Sequence, residues 1–453
     1  MSKSRVVYAC EACGAQSPKW AGQCAECGEW NTLTETVAAP ASGKRAPASR
    51  QYAGAAGVRH LTEVSGQRQE RTATGLGELD RVLGGGLVPG SVTLIGGDPG
   101  IGKSTLLLQA AASLASRLGV LYVTGEESLE QVSMRARRLG VPAADIRLAA
   151  ETCVEHVVAL AEQNGPAVLV VDSIQTIFSE ALQSAPGAVA QLRETAAQLV
   201  RFAKRSGAAV FLVGHVTKEG VIAGPRVLEH MVDTVLYFEN DAGSRFRVIR
   251  AVKNRFGAVN ELGVFAMDEE GLREVTNPSA IFLQRHDQAV SGSAVMVARE
   301  GSRPLLVEVQ ALVDESHLSN PRRVAVGLEQ NRLSMLLAVM HRHGGVAMFD
   351  QDVFINVVGG LRIAETAADL PILLAVLSSY RDRPLPMDMV VFGEIGLAGE
   401  IRPVYNGEER LREAAKHGFR RAVIPHANRP RKDLVGNMEV VPARRLADVL
   451  DVI

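Results

Sequence analysis

Residues 97–104 read Gly97-Asp98-Pro99-Gly100-Ile101-Gly102-Lys103-Ser104, a GxxxxGK[ST] pattern whose flanks constrain the fold more than any other stretch of the chain. VTLIGG (92–97) is an apolar run that reads as a buried strand, and 103–118, rich in Ala and Leu, reads as a helix. Strand, glycine-rich turn and helix in that order converge backbone N–H groups and a helix N-terminus on one point, which suits a phosphate group. The expectation is a site for ATP or ADP over residues 97–105. Lys103 would reach the β- and γ-phosphates, Ser104 would ligate Mg²⁺, and Thr105 would lie near the α-phosphate.

Three further runs, VLYVTG (120–125), AVLVVD (167–172) and AAVFLVG (208–214), are apolar throughout and end in Gly or Asp. Such runs are central parallel strands buried on both faces. With helical stretches such as 188–206 between them, the fold class expected is α/β, with a doubly wound, mainly parallel sheet. Asp172, closing its strand, is the expected second metal carboxylate. Glu126 and Glu127 follow VLYVTG at the carboxyl edge, where one of them would activate the attacking water, and the sequence leaves the choice open. His215, just past 208–214, is a candidate sensor of the γ-phosphate.

At 453 residues the chain is expected to hold two or three domains. The formal net charge of −1 means that any grip on nucleic acid comes from local patches. No run of about 18 apolar residues argues for a membrane span, and residues 1–7 carry no apolar signal segment. Four of the five cysteines fall within the first 27 residues, as Cys10-x2-Cys13 and Cys24-x2-Cys27 separated by ten residues. Clustered thiols point to a metal in a reducing compartment, hence the cytoplasm. Paired CxxC knuckles suit tetrahedral Zn²⁺ with every ligand position filled, a structural site. The module is a folding staple or, through Lys19 and Trp20, a contact for DNA or a partner; both readings stand.

The domains read as a zinc module (1–35), an Ala/Pro/Ser/Gly-rich flexible linker (36–57), an ATPase domain (58–278) and an α+β domain (279–453). In the last, 293–299, 304–313 and 389–393 read as strands, and 329–342, 365–379 and 407–418 as helices.

Thr74-Gly75-x3-Leu79-Asp80-x3-Gly84-Gly85-Gly86-Leu87, ahead of the phosphate loop, resembles the entry to RecA-type ATPase cores. With the cysteine pairs and Lys253-Asn254-Arg255-Phe256-Gly257, the whole chain resembles the bacterial RadA (Sms) family of DNA-repair proteins; neither RecA nor KaiC-type proteins carry both features. The resemblance implies a homo-hexameric ring on single-stranded and branched DNA that drives branch migration of recombination intermediates, with RecA as a candidate partner. It also likens 279–453 to the proteolytic domain of Lon. There Ile372 stands where the serine nucleophile belongs and Glu408 where the lysine belongs, so no peptidase chemistry is expected.

Lys253 and Arg255 follow the apparent strand 246–252, and alternation sends both to one side. The pair is expected to complete a neighbouring subunit's site in trans. Arg322 and Arg323, with the Arg-rich stretch after 400, are expected to follow the DNA backbone. Two other classes compete with the motor: a KaiC-like switch acting on protein partners, and an ATP-dependent protease.

Overall fold

The computed structural model describes residues 6–10, 16–17, 19–25, 28–37, 70–142, 145–215, 227–239, 245–283, 288–317, 319–430 and 437–452. The chain divides into two compact units, Met1–Asn240 with Arg245–Glu274, and Val275–Ile453.

At the N-terminus, β1 (Val6–Cys10), β2 (Gln16–Ser17) and β3 (Leu33–Val37) form an antiparallel sheet of order β2-β1-β3, with Cys10 opposite Leu33. Thr36 and Val37 pair with β1, so the strand takes the first two residues expected of the linker; 38–57 lie outside the described residues.

The rest of the first unit runs α1 (Gly77–Leu83), β4 (Val92–Gly97), α2 (Lys103–Ala115), β5 (Val120–Thr124), α3 (Leu129–Arg138), β6 (Ile146–Ala150), α4 (Val154–Asn164), β7 (Val168–Asp172), α5 (Val189–Ser206), β8 (Ala209–His215), β9 (Thr234–Glu239), β10 (Phe246–Asn254), β11 (Leu262–Asp268) and β12 (Gly271–Glu274). Their sheet has the order β12-β11-β10-β9-β4-β8-β7-β5-β6. Strands β4 to β9 are mutually parallel, and β10, β11 and β12 extend the sheet as an antiparallel arm.

Side chains alternate across the central strands, and both faces are covered. Ile95, Tyr122, Val170 and Phe211 pack with Leu106, Leu107 and Val132 of α2 and α3. Their neighbours Leu94, Val123, Val171 and Leu212 pack with Val157 and Leu199 of α4 and α5. This double coverage is why the strands read as unbroken apolar runs. Register then aligns the strand ends: Gly97 lies opposite His215, and Thr124 opposite Asp172.

The second unit holds α6 (Ser279–Phe282), β13 (Ser293–Glu300), β14 (Arg303–Glu315), β15 (Arg323–Val326), α7 (Gln330–Gly344), β16 (Gln351–Val357), α8 (Asp369–Arg381), β17 (Met389–Val391), β18 (Glu394–Ile395), β19 (Ile401–Arg402), α9 (Gly407–Lys416), β20 (Arg421–Pro425) and β21 (Glu439–Ala443). A mixed sheet orders them β15-β16-β14-β13-β17-β20-β21, and β18 pairs with β19 apart from it. The apolar stretch of α8 is buried from Asp369 through Ser378. The charge this traps is matched: Arg332 grips both Asp369 oxygens, one at 2.8 Å, and the Ile395 N–H donates to Oδ2 at 3.0 Å. No helix among the described residues is long and apolar enough to cross a membrane.

Candidate active site

The loop between β4 and α2 is built on glycine where the chain turns left-handed. Gly100 has φ 75° and Gly102 φ 116°, and a Cβ on Gly102 would stand 2.7 Å from Met267 Cε. A side chain there would strain the loop and push it off β11, so the cradle depends on the absence of Cβ. Gly102 caps α2 without a side-chain hydrogen bond, leaving the first-turn N–H groups directed at the cradle. Lys103 is buried, and its ammonium donates to the carbonyls of Gly97 (2.9 Å) and Asp98 (2.8 Å). Burial draws its pKa down to about 8, against the pull of Asp172, Glu126 and Asp98. These donors, with the Ser104 hydroxyl and Asp172, are a set suited to a nucleotide and its metal.

The sheet brings Asp172, Glu126 and His215 to the same edge. Asp172 is buried, and the Tyr122 hydroxyl donates to its Oδ2 at 2.5 Å. Glu126 accepts from the Ser173 hydroxyl and lies 3.1 Å from His215 Nε2. The His215 hydrogen bond, then Ser173 and Lys103, hold the Glu126 carboxyl below its ordinary range in spite of burial. Gln175 clamps the His215 backbone at both ends, accepting from its N–H at 2.9 Å and donating to its carbonyl at 2.7 Å. Among the described residues His215 Nδ1 is buried without a partner. Glu127 turns elsewhere and pairs with Arg135 of α3. The two adjacent glutamates are thereby separated, with Glu126 beside the phosphate loop.

Three contributors escaped sequence reading. Tyr122 sits inside a strand whose residues all read as core. Gln175 belongs to no motif. Arg247, from β10, donates through Nε to the Ile101 carbonyl of the phosphate loop at 3.2 Å.

Tyr122 carries a consequence of its own. Burial, then Asp172, raises its hydroxyl well above the ordinary range, so it stays a donor and occupies one Asp172 oxygen. Tyr122→Phe should raise the Mg²⁺ concentration for half-maximal turnover by about tenfold, the scale of one hydrogen bond to a charged group. Turnover measured against Mg²⁺ checks this; an unchanged midpoint would reduce Tyr122 to packing.

Lys253 and Arg255 lie at the other edge. The strand expected to end at 252 runs through Asn254, with an irregularity between Ala251 and Lys253. Lys253 pairs with Val235, itself opposite Leu94 near the start of β4. Its ammonium donates to the carbonyls of Glu229 (2.6 Å) and Val232 (2.9 Å), and Arg255 meets Asp233 at 3.2 Å. Asn254 points the other way, buried, with Nδ2 3.3 Å from the Val82 carbonyl. The two cations do share a side, as alternation requires. From the level of Leu94 to Gly97 is three residues of β4, roughly 10 Å, and the Lys253 ammonium points away from that end.

In the second unit Arg322 is exposed, whereas the Arg323 guanidinium is consumed by the carbonyls of Arg322, Met348 and Gln351. Of the doublet expected to meet DNA, only Arg322 presents its side chain to solvent. Ile372 is buried inside α8, and Glu408 opens α9 beside Arg412 at 3.7 Å.

At the N-terminus Cys10 and Cys24 are buried in one cluster with Leu33 and Tyr8. The Gly28 N–H donates to the Cys24 carbonyl at 2.9 Å, and Gly28 turns at φ 74°, a knuckle geometry suited to a thiolate metal site. Cys13 and Cys27 lie outside the described residues. Lys19 and Trp20 are exposed.

Three family models match this chain. One described as AAA domain covers 69–221, one described as rubredoxin metal binding domain covers 8–35, and one described as subunit ChlI of Mg-chelatase covers 318–428. Over 100% of its length the chain is 63% identical to the DNA repair protein RadA of Pseudomonas aeruginosa, covering 99% of that protein. It is 59% identical to DNA repair protein RadA of Escherichia coli (98% of this chain, 97% of the relative) and 47% identical to that of Bacillus subtilis (99% of each). The architecture is a metal-binding ribbon, a P-loop ATPase core of mainly parallel sheet and a Lon-like C-terminal domain. On full-length identity of this degree, the chain belongs to the RadA family of DNA-repair proteins.

Proposed function

We propose that this chain is a DNA-dependent ATPase that acts on single-stranded DNA as a homo-hexameric ring and promotes branch migration of recombination intermediates, alongside the recombinase RecA. The observation that supports the reading is that the phosphate loop and the Lys253–Arg255 pair sit at opposite ends of the strands of one sheet. The carboxyl edge holds the phosphate loop, Asp172 and Glu126; the amino edge holds Lys253 and Arg255. One subunit cannot bring the two together, whereas a head-to-tail ring presents the amino edge of one chain to the carboxyl edge of the next.

In hydrolysis, Lys103 neutralises charge on the β–γ bridge, and Ser104 and Asp172 would hold Mg²⁺, which supplies further neutralisation of the phosphate oxygens. Glu126 orients and polarises the attacking water; a carboxylate kept low in pKa acts by hydrogen bonding more than by complete proton removal. The Glu126–His215 contact, 3.1 Å, ties nucleotide state to the segment that follows His215. Zn²⁺ would be held by Cys10, Cys13, Cys24 and Cys27 as a folding element. Residues 279–453 serve as a scaffold without peptidase chemistry, since neither Ile372 nor Glu408 can supply a nucleophile or its activating amine.

The test is ATP turnover with and without single-stranded DNA, run beside a branched-DNA processing assay. DNA is expected to stimulate turnover; turnover indifferent to DNA would transfer the protein to the class of switches acting on protein partners. Arg322→Ala should lower the slope of log affinity against log salt by about one, while Arg323→Ala should chiefly cost stability. An unchanged slope in Arg322→Ala removes that residue from the DNA surface.

A further inference from the structure

Away from the phosphate loop, a thiol, an imidazole and three carboxylates converge where the chain enters α4 and where it leaves β7. Sγ of Cys153, a ring nitrogen of His156 and a carboxylate oxygen of Glu180 lie within 4.8 Å of one another. Cys153 is the N-cap of α4 and His156 stands three positions on, so both project from one face of its first turn. Glu180 arrives from the other segment, which is tied to the α4 entry by a hydrogen bond from the Val154 N–H to the Phe178 carbonyl at 2.9 Å.

The surroundings are organised around these donors. Glu151 Oε1 accepts the N–H groups of Thr152 and Cys153 at 2.7 and 2.9 Å, and its Oε2 faces His156 Nδ1 at 3.2 Å. A carboxylate on Nδ1 fixes the tautomer that leaves the Nε2 lone pair available, the usual outer support of a metal-bound histidine. Glu155 Oε2 lies 3.2 Å from Cys153 Sγ, while its Oε1 is anchored by Ser179 (2.6 Å) and Gln198 (2.9 Å). Among the described residues no lysine or arginine pairs with Glu151, Glu155 or Glu180; the one ionic partner is His156 on Glu151. Together these side chains bring a sulfur, an imidazole nitrogen and carboxylate oxygens to one point, a donor set that suits a divalent cation.

We propose that Cys153, His156 and Glu180, with Glu155 as fourth ligand, bind a divalent transition-metal ion of the zinc type, separate from the four-cysteine module. A sulfur, nitrogen and oxygen set selects zinc over magnesium or calcium. Tetrahedral zinc needs its ligand atoms about 3.5 Å apart, which small rotations of the exposed His156 and Glu180 side chains supply. On binding, the Cys153 S–H bond is replaced by a sulfur–metal bond and the proton leaves to water; nothing is oxidised or reduced. The ion would clip the start of α4 to the segment that leaves β7 immediately after Asp172.

The test is zinc content per chain by atomic emission, on full-length protein equilibrated with zinc at a buffered concentration that saturates the wild type. Cys153→Ser, His156→Ala and Glu180→Gln should each lose one zinc per chain at that concentration, while a Cys10→Ser chain still carries the second ion. Glu180→Gln alters an exposed side chain and so tests the site even if Cys153→Ser folds poorly; its zinc affinity at this site should fall at least about tenfold. Wild-type zinc content and affinity in Glu180→Gln, or a wild-type chain that saturates at one zinc, would overturn the proposal.

Discussion

Lys103→Ala is expected to lower ATP turnover by at least roughly 100-fold, the scale of removing one preorganised group that stabilises transition-state charge. The amine is buried and held over the cradle by two carbonyls of its own loop, so it meets an incoming phosphate without reorganising. Among the described residues Arg247 is the other cation bonded to this loop, and its guanidinium is engaged with the Ile101 and Phe246 carbonyls. Among the described residues no neighbour is placed to take over. Steady-state phosphate release checks the effect, and wild-type turnover would remove the site from 97–105.

Lys253→Ala should cost roughly 10³-fold or more in DNA-stimulated turnover, as loss of a finger supplied in trans does, while ATP binding persists. The decisive measurement mixes two inactive chains. Lys103→Ala retains the donor edge and Lys253→Ala retains the acceptor edge, so in randomly mixed rings about a quarter of the interfaces are intact in both. Recovered activity on mixing is therefore expected. If mixed rings form and stay inactive, Lys253 acts within its own subunit, where it ties Glu229 and Val232 to β10, and the ring mechanism loses its trans element.

Features governed by a single physical requirement are legible in the sequence. A phosphate cradle needs glycine and lysine at fixed spacing, and a strand buried on both faces needs unbroken apolar residues; both are visible without coordinates. Features whose identity depends on what lies across the sheet are not. Glu126 and Glu127 are chemically identical neighbours, and only the positions of Ser173, His215 and Arg135 distinguish them. Tyr122 reads as core because it is core, apart from one oxygen. Arg323 looks like a surface charge until the carbonyls of Met348 and Gln351 absorb it. Of the antiparallel arm only the strand at 246–252 is legible, because β10 sets its charges Arg247, Arg250 and Lys253 three apart among apolar residues, a pattern that says nothing of strand direction or partner.

That arm gives β10 an unusual position. Near one end Arg247 touches the phosphate loop of its own chain, and near the other Lys253 and Arg255 face the edge from which the next chain would be served. Lys253 stands six positions after Arg247, about 20 Å of extended backbone, and hydrogen bonds to β9 and β11 brace much of it on either flank. A segment so braced resists stretching. In a closed assembly it would act as a connecting rod, so that a shift at one nucleotide is passed to the next as displacement of a whole sheet, and the firing order around the circle is set by the stiffness of a strand.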